Sequence, residues 1–74
     1  MFKINSRVKL KKDIKEGQVI QGITVTKETV EFAKKSCRIT DIAVAEFGIV
    51  HYGLENNKGE TFHWVSDKML VGVK

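Results

Sequence analysis

The stretch GIVHYGLENNKGETFHWV, residues 48–65, decides how this chain folds. Two runs rich in β-branched and aromatic residues, Gly48 to Leu54 and Glu60 to Val65, flank Asn56-Asn57-Lys58-Gly59. Asparagine tolerates positive φ and glycine favours it, so this cluster is a turn signal and the two runs form a hairpin. Side chains alternate between the two faces of a strand, so the loop length sets which residues meet. A loop of three or five residues puts Val50, Tyr52 and Leu54 on the same face as Phe62 and Trp64, and brings His51 and His63 together on the other. A loop of four would set the aromatics opposite the histidines. Aromatic and β-branched cross-strand pairs are favoured. That selects the odd loop and assigns Trp64, Phe62, Tyr52 and Val50 to the core.

Upstream of the hairpin, Cys37-Arg38-Ile39 alternates again and continues as a strand through Thr40 to Ile42. Before it comes a helix-start signal. Thr26 is an N-cap whose hydroxyl accepts a backbone N–H of the first turn, and Val25 and Val30 fit a hydrophobic staple. Glu28 and Glu31 lie early and Lys34 and Lys35 late, matching the helix dipole. This predicts one short helix near residues 27–34. Val19 to Val25 is β-branched and extended, broken at Gly22, and residues 12–18 are charged and end at Gly17 as a loop. Arg7-Val8-Lys9-Leu10-Lys11 alternates with period two, so Val8 and Leu10 face inward while Arg7, Lys9 and Lys11 share the outer face. Beyond the hairpin, Ser66 caps a single turn at Asp67-Lys68-Met69 before a last strand from Leu70 to Val73.

Short strands, one small helix and no long crossover exclude a parallel α/β sheet. They predict a mainly β fold, a small, strongly bent antiparallel barrel of about five strands. Val8, Leu10, Ile39 and Met69 complete its expected core. The chain has 74 residues, 42% of them hydrophobic and 30% charged, which suits one folded domain over residues 1–74 rather than a disordered chain. The single cysteine, Cys37, forms no internal disulfide and cannot supply a four-cysteine zinc site. No secretory h-region opens the sequence, and its apolar runs fall far short of the roughly 20 residues of a membrane span. The expectation is a cytoplasmic protein with no membrane partner.

Charge is uneven. Residues 1–38 carry +6 and residues 39–74 carry −2, which together make the net +4. The basic strand residues Arg7, Lys9 and Lys11, extended by Lys12 and Lys15, are the leading candidate for a binding surface. The plainer reading of the same residues is a solubilising face. Tyr52 joins the candidates because its hydroxyl seeks water or a partner. His51 and His63 could approach each other, but no cluster of further His, Asp or Glu completes a metal site, and no nucleophile is positioned for hydrolysis. Cys37 alternates with Ile39 and points inward as a small hydrophobe, the alternative being a thiol activated by Lys35 and Arg38. Glu55 and Glu60 flank the turn as solvated carboxylates, and Gly17 and Gly22 lack the spacing of a phosphate-binding loop. Nothing here supports an enzyme or a cofactor.

Gly22-Ile23-Thr24-Val25 with Glu28, Phe32-Ala33-Lys34-Lys35, Arg38-Ile39-Thr40-Asp41-Ile42 and Trp64-Val65-Ser66-Asp67-Lys68-Met69-Leu70 carry a resemblance, together with the opening Ser6-Arg7-Val8-Lys9-Leu10. In this order they resemble a family of small, uncharacterised proteins encoded by phages and prophages of Gram-positive bacteria. The resemblance covers about residues 6–70. It implies a Src-homology-3-like barrel and no established activity. The chain departs from the family pattern at Lys34, where a glycine closes the helix, at Thr29, where methionine is frequent, and at Lys68, where glutamate is frequent. The resulting expectation is a non-enzymatic protein that engages a host protein as an inhibitor of a defence or regulatory factor, as a monomer or a weak homo-oligomer. The alternative is a nucleic-acid-binding module that uses the basic N-terminal half.

Overall fold

A computed structural model describes residues 1–73. Seven strands and one α-helix follow each other along the chain: β1 (Arg7–Leu10), β2 (Val19–Ile20), β3 (Ile23–Thr24), α1 (Lys27–Ala33), β4 (Cys37–Val44), β5 (Val50–Glu55), β6 (Thr61–Ser66) and β7 (Leu70–Gly72). Short 3-10 turns occupy Glu46–Gly48 and Asp67–Met69. Five strands form one antiparallel sheet in the order β6-β5-β4-β1-β7, and β2 and β3 make a separate hairpin. The mainly β, antiparallel expectation with a single short helix therefore holds. Among the described residues, hydrogen bonding does not return from β7 to β6, so the sheet is open rather than a closed barrel. The two edge strands are joined only by the 3-10 turn, which cannot supply a ladder.

Local chemistry explains the elements. In α1, Thr26 Oγ1 accepts from the Thr29 N–H at 3.2 Å while Thr29 Oγ1 accepts from the Thr26 N–H at 3.2 Å, so the two threonines cap the helix reciprocally. Lys34 keeps a right-handed backbone (φ −67°) with its N–H bonded to Val30, so the helix ends without the left-handed residue that a glycine would provide. The break expected at Gly22 is a two-residue hairpin turn: Gln21 (φ 51°) and Gly22 (φ 83°) both adopt positive φ, the requirement of a type I′ connection. Ser66 caps the second 3-10 turn by accepting from the Lys68 N–H.

The core gathers Val8 and Leu10 of β1, Ile39 of β4, Val50, Tyr52 and Leu54 of β5, and Val65 of β6. Val25, Ala33, Cys37, Met69 and Leu70 close it. Phe62 packs at its margin with its ring 5.4 Å from that of Phe32. Two sequence expectations are corrected. Tyr52 has no exposed surface and so cannot belong to a binding face, whereas Trp64 is 41% exposed and is not core. The β5–β6 loop is the odd one expected, since Glu55 pairs with Thr61 and Leu54 with Phe62. The core place that alternation gave Tyr52 holds, and it is the binding role that fails; the Trp64 correction arises further along the hairpin. Gly53 pairs with His63, but Tyr52 pairs with Val65, so Trp64 is an extra residue on β6. A bulge reverses the inside-outside assignment beyond it. Val65 takes the core place opposite Tyr52, and Trp64 leaves it.

Candidate functional site

Displaced from the core, Trp64 borders a cleft of about 440 Å³. The β3 residues Ile23 and Thr24 and the α1 cap residues Thr26 and Thr29 form one wall, and His51, Phe62, His63 and Trp64 form the other. The threonine pair is committed to the helix cap and to each other, with 3.0 Å between their hydroxyl oxygens. His51 lies near the Gln21 carbonyl at 3.4 Å, and the buried Ser66 hydroxyl bonds the Gln21 side chain, so the β2–β3 turn is tied to β5 and β6. Both histidines lie on this one face, as the odd loop implies.

His63 is held across the sheet. Its Nε2 lies 2.7 Å from Asp41 Oδ2 on β4, spanning β5 where Gly53 stands. A Cβ on Gly53 would collide with the His63 ring and come within 2.9 Å of the Asp41 carboxylate. Only glycine leaves that gap, so Gly53 is what allows the imidazole to lie over the central strand. The His63 and Trp64 rings then meet edge to face at 4.7 Å, which fixes one side of the tryptophan. The hydrogen bonds from His63 and then Thr40 hold the Asp41 carboxyl below its ordinary range. A carboxyl so depressed contributes stability that is complete above its unfolded value of about 3.9 and is lost as pH falls through the folded one. Asp41→Asn should therefore differ from wild type above about pH 4 and converge with it only as pH falls through the lowered folded value, which urea titrations at stepped pH will measure.

Among the described residues, no group of three or more His, Cys, Asp and Glu is placed to hold a metal ion. Cys37 is fully buried, and burial raises its thiol pKa, against which Arg7 acts weakly; its Sγ lies 3.4 Å from the carbonyls of Phe32 and Lys35. This is the environment of a packed thiol rather than an activated one.

The basic residues lie elsewhere. Arg7 is engaged within the protein: its Nε donates to Ser36 Oγ and its Nη2 to Asn57 Oδ1, both at 3.0 Å. Lys9, Lys11, Lys12 and Lys15 form no ion pair among the described residues; Lys9 is half-buried and the others are exposed. The Lys11 N–H bonds the Met69 carbonyl at 2.8 Å, which brings Lys68 alongside them. Tyr52 does not join this group. Its hydroxyl donates to Asp67 Oδ1 at 2.8 Å and accepts from the Phe2 N–H at 2.9 Å, and burial raises its pKa.

Sequence reasoning missed Asp41, Gly53 and the β3 wall. Asp41 and His63 are 22 residues apart, so no local spacing links them. One signal was present: a glycine inside a strand often marks a bulge or a close approach. No protein-family model, curated protein sequence or solved structure matches this chain.

Proposed function

We propose that this protein is a non-enzymatic binding module of the phage- and prophage-encoded kind that it resembles. It engages a host protein, as an inhibitor of a defence or regulatory factor, by seating a segment of that protein in the cleft beside Trp64. The observation that carries this reading is Trp64 itself. A tryptophan 41% exposed on an edge strand, braced by His63 and bordering a cleft, has the character of an interface anchor. Its surroundings favour binding over chemistry, because the cleft threonines are committed to a helix cap. The strand order β6-β5-β4-β1-β7, with the irregularity in β4 and the 3-10 turn joining the two edges, supports a Src-homology-3-like architecture. The test is capture from a Gram-positive lysate with wild type and Trp64→Ala side by side. A stoichiometric protein held by wild type and released by the variant supports the reading. Equal retention removes the cleft, and the absence of any stoichiometric protein removes the binding module.

Nucleic-acid binding is the second reading, favoured by Lys9, Lys11, Lys12 and Lys15, which form no ion pair among the described residues. Converting Lys9 and Lys11 to glutamate leaves Val8 and Leu10 in the core, so the fold survives. On the protein-binding reading, the variant loses association rate at most, and neither protein binds duplex DNA at low salt. On the nucleic-acid reading, wild type binds with a steep salt dependence. Affinity then collapses in the variant, and the log–log slope flattens by about 0.9 for each phosphate that is no longer neutralised.

A further inference from the structure

The β4–β5 hairpin extends beyond the reach of its neighbours. The chain around β1 pairs with β4 only as far as Ile39: Arg7 faces Arg38, Val8 faces Cys37, and Ile39 exchanges backbone hydrogen bonds with Asn5 (2.8 Å) and Ser6 (3.0 Å). From Asp41 to Val44, β4 has only β5 beside it among the described residues. Successive residues of an antiparallel strand turn their N–H and C=O groups to alternate sides. The Ala45 N–H donates across the hairpin to the Ile49 carbonyl at 2.7 Å, and two residues back Ala43 pairs with His51 in the same sense. The backbone groups of Ile42 and Val44 therefore point away from β5, and among the described residues nothing on the backbone meets them there.

Native proteins guard such edges with lysine, proline or a short strand. Here no Lys, Arg or Pro occurs anywhere from Ile39 to Asn57. The side chains beside the open edge are apolar and uncovered: Ile42 is 38% exposed, Val44 68% and Phe47, in the turn that follows, 97%. We propose that this edge pairs with the same edge of a second copy, antiparallel about a two-fold axis at Ala43, joining the two five-stranded sheets.

The geometry favours a second copy over another strand. Antiparallel pairing of a segment with itself is closed and self-complementary. With Ala43 opposite Ala43, each Ile42 faces the Val44 of the second copy, and their outward groups form about four backbone hydrogen bonds. The charges also fit. Asp41 falls opposite Ala45 and Glu46 opposite Thr40, so no acid faces an acid, and Asp41 is already paired with His63. No unpaired charge remains within the segment Ile42–Ala45 to select a basic or acidic partner instead. A three-residue edge with one flanking aromatic falls below the roughly 1,200–2,000 Å² of a standard stable interface. The dimer is accordingly weak, with Kd between about 10 μM and 1 mM.

The cleft beside Trp64 plays no part in this pairing, so dimerisation and cleft binding stand or fall separately. Sedimentation equilibrium of the full chain across that concentration range should show a monomer–dimer equilibrium. Val44→Lys, which changes an exposed residue and leaves the core intact, should abolish it. Ala43→Cys should cross-link under mild oxidation at least about tenfold faster than Lys9→Cys on β1, away from the open edge, because the two Ala43 Cα atoms would lie about 4.5 Å apart, within disulfide range. The native Cys37 is buried and stays silent. A monomer at every concentration together with no cross-linking advantage for Ala43→Cys overturns the proposal. So does a dimer that Val44→Lys leaves intact.

Discussion

Tyr52→Ala is expected to unfold the protein at ordinary growth temperatures. The ring is fully buried on β5, between Ile42 of β4 and Val65 of β6, with Phe2 edge-on at 5.9 Å. Truncating a buried aromatic costs roughly 3–5 kcal/mol. The change also strips Asp67 and the Phe2 N–H of the hydroxyl between them, which removes one tie of the chain start and of the second 3-10 turn to β5. Small domains sit near the low end of the ~5–15 kcal/mol range of native stabilities, so a penalty of this size takes most of what is available. Tyr52→Phe separates the two contributions, because it keeps the ring and removes only the hydroxyl, at about 1–3 kcal/mol. Urea unfolding followed by circular dichroism should rank wild type, Tyr52→Phe and Tyr52→Ala in that order. A Tyr52→Ala protein as stable as wild type would contradict the burial of this ring.

Trp64→Ala should behave in the opposite way, with little effect on folding and a large effect on binding. The indole lies outside the core cluster and meets the His63 ring edge to face. Its removal should cost no more than about 1 kcal/mol, near the range of surface substitutions. Partner affinity should fall by at least about 30-fold, which corresponds to the ~2 kcal/mol that defines an interface hot spot. Melting curves and titration calorimetry on the same preparations would measure both quantities. A destabilisation comparable to that of Tyr52→Ala would place the indole in the core. Unchanged affinity in a folded Trp64→Ala protein would move the binding surface away from the cleft.

These two residues also show how far the sequence could be read. Period-two alternation was enough to locate β1, β4, β5 and β6, because burial of one sheet face imposes that period directly. The Thr26 cap and the turn after Ser66 were legible because each rests on chemistry between residues a few positions apart. The Gln21-Gly22 hairpin was visible only as a break at Gly22, because the pairing of strands as short as β2 and β3 leaves almost no pattern. Arg7 was legible as an outward-facing cation, but its commitment to Ser36 and Asn57 was not, because those partners lie 29 and 50 residues away.

The amino-acid sequence by itself determined the β-rich class, the single short helix and the inward set Val8, Leu10, Ile39, Val50 and Leu54. Tertiary structure alone decided that Trp64, which alternation places inward beside Tyr52, is displayed. One extra residue on β6 moves Val65 into the place that alternation reserves for Trp64, and such a shift changes the face of every residue beyond it. The bulge coincides with an interaction that spans three strands, His63 over Gly53 to Asp41, whose members are distant in the chain. Local pattern carries no information about so distant a pairing, so the exposed tryptophan and the cleft beside it emerge only when the strands are assembled.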